Sequence, residues 1–404
     1  MQLDIKAAYL NAPLDIEIYI NIPPIDKNFS KGYWHLKKAL YGLKQSGRQW
    51  NILFTDFLKN NNFIQIISEP CIFKKMERGI MVCLIGIYVD DLLIKGINNH
   101  IHDIIKKIKK PFKISKCNPA DYILGINIER NNFQYSVNQI QFIKNILEKF
   151  KVTNIKKSKT PCTNNYTITN NNDQEFDKTT YKSAIGSLIY LARCTRPDIS
   201  FAVSKASRCV EHPTFSDWKM IKNILKYLNL TKNFKITYKG QGELVVYSDS
   251  DFAGDPKDRK STSEFILLME KDPICWQSKK QSVVATSTAE TEYIAMSECM
   301  KKVLNIRNIL SELFAYNKPI KIYTDNLASK TTIENGEINN KLRHVDIKFH
   351  FNKDNIKNKK VILEYINTEN MLADPLKEIF NGSKMTIFTD QIFNKKTFWS
   401  EGEC

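Results

Sequence analysis

An unbroken apolar run of ten residues, from Ile80 to Val89, constrains the fold of this chain more than any other feature. Asp90 and Asp91 follow it directly, and apolar residues resume at Leu92. The run is about half the ~20 residues that a membrane helix needs, so it predicts a buried β-hairpin with its tip at residues 89–91. Two carboxylates in such a hairpin cost desolvation energy, which a bound cation would offset. The alternative is a simple polar turn, because Asp is a common turn residue.

The charge balance favours a polyanionic partner. The chain has 404 residues, which predicts two or more domains, and its 60 Lys and Arg against 43 Asp and Glu give a net charge of +17. Nucleic acid fits this excess, although a solvated basic surface is the alternative. The cysteines form no C-x-x-C pair, which argues against a disulfide scaffold or a zinc ribbon and favours a reducing compartment. We expect no signal peptide and no membrane partner.

Periodicity predicts mixed secondary structure. Residues 3–10 and 16–22 have strand-like composition, whereas residues 47–62 and 137–150 have helical spacing. The polar stretch 152–180 is the best candidate for a linker. Later in the chain we predict two helices separated by a turn at residues 195–197, a third helix at 217–230, strands at 242–255 and 321–328, and a long helix at 288–314.

Carboxylates at strand ends suggest metal chemistry. Asp4 lies in a strand-like stretch and would join Asp90 and Asp91, because converging carboxylates stay ionised only beside a cation. A second set lies further along the chain: Asp249, Glu292, Asp325 and Asp374. Two strand-end aspartates, a helix glutamate and a late aspartate would suit two metal ions. Each has a plainer alternative: a turn cap for Asp249 and Asp325, a solvated helix face for Glu292 or its neighbour Glu290, and a helix N-cap for Asp374.

These residues lie in motifs that resemble a known family. YVDD at residues 88–91 resembles the catalytic box of reverse transcriptases, and its surroundings resemble the Pol polyprotein of copia-type LTR retrotransposons. Two further stretches resemble other motifs of the polymerase, QLDIKAAYLNAPLDIEIYI and LKKALYGLKQSGRQW. Blocks resembling ribonuclease H follow in the same order as in the family: YSDSDFAGDPKDRKSTS, KKQSVVATSTAETEYIAMSE, IYTDN, RHVDIKFHF and NMLADPL.

The resemblance implies a fold and an activity. The fold would be α+β, with an antiparallel palm sheet, helices and a thumb, then a helical connection and an α/β RNase H-like domain with a mixed sheet. The activities would be RNA-directed DNA synthesis and cleavage of RNA in RNA/DNA hybrids. The implied partners are an RNA template, a DNA primer, an RNA/DNA hybrid and dNTPs. The implied cofactor is Mg²⁺, two ions per active site, with Mn²⁺ as an alternative.

The resemblance also implies residue roles. Asp4, Asp90 and Asp91 would be the catalytic metal ligands of the polymerase. Tyr9 would reject a 2′-OH and Gly42 would approach the incoming nucleotide. The primer would be held by Leu124, Gly125 and Ile126. The catalytic metal ligands of the nuclease would be Asp249, Glu292, Asp325 and Asp374, with Glu292 preferred to Glu290.

The implied organisation is a Pol fragment. Its parts would be residues 1–151 as palm and the beginning of the thumb, 152–180 as linker, 181–240 as helical connection, 241–380 as RNase H-like domain and 381–404 as C-terminal tail. Because residue 4 is already in the first palm motif, we expect the fingers to be missing. Localisation would be cytoplasmic, with the nucleus as alternative.

Four residues, in three motifs, depart from the family pattern. Ser46-Gly47 replaces Ala-Pro, Glu264 stands where Gly is usual, and Pro375 follows the last acid in place of an aliphatic residue. Two rival interpretations follow from the missing fingers and these departures. One is a catalytically inactive remnant that at most binds nucleic acid, and the other is an active nuclease with an inactive polymerase part.

Overall fold

The protein folds into two compact units in a computed structural model that describes residues 1–22, 32–131, 134–152, 157–162, 173–240, 242–335, 346–380 and 382–393. Unit 1 contains residues 1–123 and 308–316, and unit 2 contains residues 124–307 and 317–404. The domain limits of the sequence analysis stay a prediction. The predicted linker and C-terminal tail lie partly outside the described residues, but the helices Lys178–Cys194 and Gly382–Ile392 extend into these two stretches.

Unit 1 is built on a six-stranded sheet with the order β4-β5-β6-β7-β1-β8. Its strands are β1 (Gln2–Ile5), β4 (Ile64–Gln65), β5 (Ile72–Glu77), β6 (Ile80–Tyr88), β7 (Asp91–Gly96) and β8 (Ile114–Asn118). A separate pair is formed by β2 (Tyr19–Asn21) and β3 (Tyr33–His35), and β9 (Tyr122–Ile123) ends the unit's first segment. The helices α1 (Ser46–Lys59) and α2 (Asn98–Ile108) contribute apolar faces to the core, with Trp50, Phe54 and Ile104 buried.

The predicted hairpin is present as β6 and β7, which pair antiparallel from Cys83 opposite Gly96 to Tyr88 opposite Asp91. The strand predicted for residues 3–10 is wrong beyond Ile5. Ala7 has a positive φ of 53°, which ends the extended backbone, and residues Ala8–Asn11 form a short 3₁₀ helix.

The first part of unit 2 combines strands with helices. Here β11 (Gln134–Asn138) pairs with both β10 (Ile126–Asn131) and β12 (Ile236–Tyr238). The helix predicted from residue 137 begins later, because Val137 and Asn138 still belong to β11 and α3 covers Ile140–Lys149. The helices α4 (Lys178–Cys194), α5 (Ser200–Ser207) and α6 (Phe215–Leu230) form a large shared core.

The predicted break at residues 195–197 separates α4 from α5. Arg196 is fully buried there, and its guanidinium donates to both carboxylate oxygens of Asp198, at 2.9 and 2.6 Å. It also donates to the Thr231 carbonyl at 3.1 Å, and the Tyr227 hydroxyl donates to Asp198 at 2.8 Å. The turn is therefore fixed by a buried ion pair as well as by Pro197.

The second part of unit 2 is a mixed five-stranded sheet with the order β15-β14-β13-β16-β17. Its strands are β13 (Leu244–Ser250), β14 (Thr262–Met269), β15 (Asp272–Lys280), β16 (Ile320–Thr324) and β17 (Val361–Tyr365). The first three pair antiparallel, whereas β13–β16 and β16–β17 pair parallel, which confirms the predicted mixed sheet. The remaining helices are α7 (Thr288–Phe314), α8 (Leu327–Asn335), α9 (Asp346–Lys357) and α10 (Gly382–Ile392).

No helix among the described residues has both the length and the apolar character that crossing a membrane would require.

Candidate carboxylate sites

The three carboxylates of unit 1 meet at one end of its sheet. Asp4 in β1 lies directly opposite Asp91 in β7, and Asp90 occupies the two-residue turn that precedes β7. Residues directly opposite on antiparallel strands have neighbouring side chains. The sheet therefore brings the predicted polymerase acids together, although they are 86 residues apart in the chain.

The turn that carries Asp90 is held from two sides. The Trp50 indole donates to the Val89 carbonyl at 2.6 Å, and the Ile5 amide donates to the Asp90 carbonyl at 2.9 Å. Val89 has a φ of 56°, which is strained for a β-branched residue and costs on the order of 1–3 kcal/mol. These two hydrogen bonds help to keep the turn in this conformation.

The electrostatics of this end of the sheet agree with its geometry. Burial, with the charges of Asp90 and Asp91, raises the pKa of Asp4 above its ordinary value, and Lys116 opposes the shift. The Gln2 amide donates to Asp91 at 3.1 Å, so this carboxylate has a neutral hydrogen-bond donor beside it. A cation would relieve the mutual repulsion of the three acids.

Tyr9 and Gly42, the residues expected to contact a nucleotide, both precede α1 in the chain. The Tyr9 and Tyr41 rings have centroids 4.5 Å apart, and Gly42 next to Tyr41 is exposed with a φ of 99° that favours glycine. Ser46 is buried and donates to the Leu40 carbonyl at 2.6 Å. Gly47 lies next to Tyr9, since a Cβ added at position 47 would be 3.5 Å from the Tyr9 hydroxyl. Ser46 and Gly47, which depart from the family pattern, therefore both fit the packing at this point.

The residues expected to bind a primer form a tight turn in unit 2. Leu124 and Gly125 have φ values of 49° and 72°, the left-handed pair typical of a two-residue hairpin turn, and Ile126 begins β10. The Tyr190 hydroxyl donates to the Leu124 carbonyl, and a Cβ on Gly125 would lie 3.0 Å from that hydroxyl. Glycine is therefore required by both backbone and space.

Two of the predicted nuclease acids lie at the same edge of the mixed sheet. Asp249 is near the end of β13 and Asp325 follows β16, and these strands are parallel with Tyr247 opposite Tyr323. Each acid lies two residues beyond this tyrosine pair. Because the carboxyl ends of neighbouring parallel strands lie at the same edge of a sheet, both acids are at that edge. Asp249 is 1% exposed, whereas Asp325 is half-buried and accepts a hydrogen bond from the Thr368 hydroxyl at 2.9 Å.

The helix glutamates are both buried, so the solvated-face alternative is wrong. Glu290 accepts hydrogen bonds from the Thr286 amide at 2.7 Å and hydroxyl at 2.9 Å, which ties it to the segment before α7. Glu292 instead accepts from the Ser250 hydroxyl, beside Asp249, at 2.8 Å. Burial, then the charge of Asp249, raises the pKa of Glu292 well above its ordinary range. Glu292 is therefore the member of the pair that joins the acid cluster.

Asp374 joins the cluster through a lysine. The Lys377 ammonium forms ion pairs with Asp249 and, at 3.1 Å, with Asp374. Burial and a hydrogen bond with Asp249 raise the pKa of Asp374 to about 7. The N-cap alternative is wrong, because Asp374 is the first residue of a short 3₁₀ helix that Ala373 precedes. Pro375 is in the first turn of this helix, where its missing N–H costs little.

Lys377 lies where a metal ion would bind between the acids of unit 2. Among the residues that the structure describes, no three Asp, Glu, His or Cys side chains are grouped to hold a metal ion as arranged here. In unit 2 the Lys377 ammonium already provides a counter-charge between Asp249 and Asp374. The donor set is nevertheless all oxygen, as Mg²⁺ prefers. Both carboxylate oxygens of the neighbouring Glu264 are buried and have no hydrogen-bond partner within the part of the chain that the structure describes. The donors present therefore fit a hard divalent cation.

Sequence reasoning missed two residues of this site and left a third without a role. Lys377 and Ser250 have no predicted role, although both lie close in sequence to predicted acids: Lys377 is three residues after Asp374, and Ser250 directly follows Asp249. The sequence marks Glu264 as a departure from the family pattern but predicts no role for it. Its position opposite Asp249 depends on the pairing of β13 with β14, which the sequence does not specify.

Comparison with known proteins concerns the chain as a whole. The family model described as reverse transcriptase (RNA-dependent DNA polymerase) matches residues 1–164. The retrovirus-related Pol polyprotein from transposon TNT 1-94 of Nicotiana tabacum is 32% identical over 400 residues, 96% of this chain. The corresponding polyprotein from transposon RE1 of Arabidopsis thaliana is 31% identical over 398 residues, 97% of this chain. The chain belongs to the Pol polyproteins of copia-type retrotransposons.

This Pol chain spans 30% and 27% of the length of those two relatives. Among solved structures, it is similar to LC11-RNase H1 in complex with an RNA/DNA hybrid, at 12% identity and a TM-score of 0.27. That match covers 33% of this chain and 94% of the other.

Proposed function

We propose that unit 2 is a ribonuclease H that cleaves RNA in RNA/DNA hybrids. The observation that carries this proposal is the convergence of Asp249, Glu292 and Asp374, from a strand, a helix and a late 3₁₀ turn, with Asp325 at the same sheet edge. Buried acids of this number have no role in packing and are costly without a cation.

Asp249, Glu292, Asp325 and Asp374 would hold two Mg²⁺ ions, with Mn²⁺ as an alternative. When bound, such ions stabilise charge on the attacking and leaving oxygens of phosphoryl transfer. The Ser250 hydroxyl donates to one carboxylate oxygen of Glu292 at 2.8 Å and so helps to hold this side chain next to Asp249. The net charge of +17 favours binding to the phosphate backbone of a hybrid without sequence specificity.

A labelled RNA/DNA hybrid tests the nuclease. With Mg²⁺ the chain should cleave the RNA strand, and Asp249→Asn should lower the rate at least 100-fold while hybrid binding changes less than threefold. Glu243→Gln is the matched control, because Glu243 is an exposed carboxylate just before the same strand and pairs with Lys318. Absence of cleavage with normal hybrid binding would favour the inactive remnant that at most binds nucleic acid.

We propose further that unit 1 contributes RNA-directed DNA polymerase activity. The supporting observation is that β1 aligns Asp4 with Asp91 while the strained turn holds Asp90 beside them. These acids would hold two divalent cations beside the primer end, with the incoming dNTP near Tyr9 and Gly42. Leu124, Gly125 and Ile126 of unit 2 would contact a primer strand, because Leu124 is exposed at their tight turn.

Primer extension on an RNA template tests the polymerase. The chain should extend the primer with dNTPs, and Asp90→Asn should abolish extension while hybrid cleavage continues. Asp103→Asn is the control, since Asp103 is a surface residue of α2 that pairs with Lys107. Cleavage without extension in the wild type would favour the active nuclease with an inactive polymerase part.

A further inference from the structure

Glu264 lies beside Asp249 by strand register. In the antiparallel pair of β13 and β14, Asp249 is directly opposite Glu264. Side chains at such positions project to the same face of the sheet, with Cβ atoms about 4.5–5.5 Å apart. Glu264 therefore faces the cluster of Asp249, Glu292 and Asp374 although no site motif includes it.

The Glu264 carboxyl group is buried and lacks any hydrogen-bond partner among the described residues. The residue is 1% exposed, and neither Oε1 nor Oε2 accepts a hydrogen bond. The strand around it, residues 262–268, is buried throughout. A side chain without ionisable oxygens would pack here with less desolvation cost, so packing alone does not explain a glutamate.

The surroundings of Glu264 are strongly acidic. Burial, then the charges of Asp249, Glu292 and Asp251, raises the pKa of Glu264 well above its ordinary range, and Lys377 opposes the shift. Lys377 is already shared by Asp249 and Asp374 through ion pairs. The cluster thus has more carboxylates than the one ammonium can compensate.

We propose that Glu264 is a fifth carboxylate of the divalent cation site and binds the cation next to Asp249. This inference rests on the proposed nuclease function of unit 2. Its two unpartnered oxygens provide hard ligands of the kind that Mg²⁺ and Mn²⁺ take. An added carboxylate increases the negative charge of the site, which favours tighter binding of the ion and a larger share of protein oxygens in its coordination.

Calorimetric titration with Mn²⁺ tests the assignment on the full chain. Asp90→Asn and Asp91→Asn are introduced throughout, so that unit 1 contributes no binding. In this background Glu264→Gln should bind Mn²⁺ at least tenfold more weakly or lose one ion, and Glu264→Gly should do the same. Glu243→Gln, the exposed control, should bind as the background chain does. Circular dichroism verifies that each variant is folded.

The outcomes separate the two proposals. If the background chain binds Mn²⁺ and both Glu264 variants bind it equally well or more tightly, Glu264 is not a ligand and the nuclease proposal stands. If the background chain binds no Mn²⁺ and the wild-type chain cleaves no hybrid, both proposals are overturned. Weakened binding in both variants, with Asp249→Asn also weakened, supports the five-carboxylate site.

Discussion

The Lys377 ammonium is paired with Asp249, a residue 128 positions earlier in the chain. Burial alone would lower the pKa of Lys377, but Asp249 and Asp374 raise it above its ordinary range. The lysine therefore stays charged and occupies a position that a metal ion bound by the same carboxylates would need. A divalent cation would have to displace it.

Lys377→Met should separate the stability of the site from its metal affinity. In EDTA the variant should lose about 3–5 kcal/mol of unfolding free energy, because two buried carboxylates lose their counter-charge. Its Mn²⁺ affinity should rise roughly tenfold, equivalent to about 1.4 kcal/mol, because the competing ammonium is gone. Thermal unfolding with and without Mn²⁺ measures both effects. The exposed Lys357→Met in α9 is the control, and weaker Mn²⁺ binding by Lys377→Met would contradict competition.

Asp255 should make the stability of unit 2 depend on pH in the acid range. Burial tends to raise its pKa, but the hydrogen bond and charge of Lys280, with hydrogen bonds from the Lys257 amide and Arg208, lower it to about 2, below the ordinary 3.8. A depressed carboxyl pKa contributes stability above the unfolded value, and this contribution is lost as pH falls from about 4 to about 2. Asp255→Asn should therefore cost roughly 2–2.5 kcal/mol at pH 7.

Chemical unfolding at several pH values tests this prediction. The difference between wild type and Asp255→Asn should shrink as pH falls from 4 toward 2. Asp258→Asn is the matched control, since Asp258 contacts the same Lys280 at 2.8 Å but is largely exposed, and it should change stability little. A difference that does not depend on pH would mean that packing, rather than ionisation, explains the cost.

Breaking the Arg196–Asp198 pair should destabilise the helical part of unit 2. Arg196→Met leaves the Asp198 carboxylate buried and, among the described residues, hydrogen-bonded only to the Tyr227 hydroxyl, so the loss should be about 3–5 kcal/mol. Urea unfolding followed by circular dichroism measures it. Arg193→Met, on the exposed side of α4, should have little effect. Arg196→Met with Asp198→Leu should recover part of the loss, and failure to recover any would indicate that the arginine stem contributes mainly by packing.

The sequence was most informative where a local pattern determines the structure. The apolar run and Asp90-Asp91 predicted the β6–β7 hairpin, and the long helix was predicted with the same limits as α7, Thr288–Phe314. The strand at residues 3–10 was overextended because composition does not reveal the positive φ of Ala7. Strand register between distant segments also escaped prediction, since nothing local aligns Asp4 with Asp91 or Asp249 with Glu264.

Hydrogen bonds and ion pairs between residues distant in sequence could likewise not be predicted. Glu290 and Glu292 lie on one helix and have the same residue type, and only their hydrogen bonds to Thr286 and Ser250 separate them. The family resemblance selected Glu292, while the pattern of the residues left both open. The pairing of Lys377 with Asp249 could not be predicted either, because the two residues are far apart in the chain.

The Trp50 hydrogen bond to Val89 gives a last prediction, about the turn that carries Asp90. Trp50 is 2% exposed and its ring packs against Phe54 and Phe112, with centroids 5.1 and 5.4 Å away. Phenylalanine at position 50 keeps an aromatic ring but removes the indole N–H. Because the carbonyl of the half-buried Val89 would lose this donor, Trp50→Phe should cost about 1 kcal/mol.

Hydrogen exchange locates this effect in the turn. The Ile5 amide donates to Asp90, so its exchange should accelerate about tenfold in Trp50→Phe if the turn opens more often. Trp34→Phe is the matched control, since Trp34 lies in β3 with its side chain exposed and should leave Ile5 unchanged. Equal protection of Ile5 in both variants would mean that β1 pairing alone holds the strained Val89 conformation. Faster exchange only in Trp50→Phe would show that α1 positions the acids at the end of the sheet.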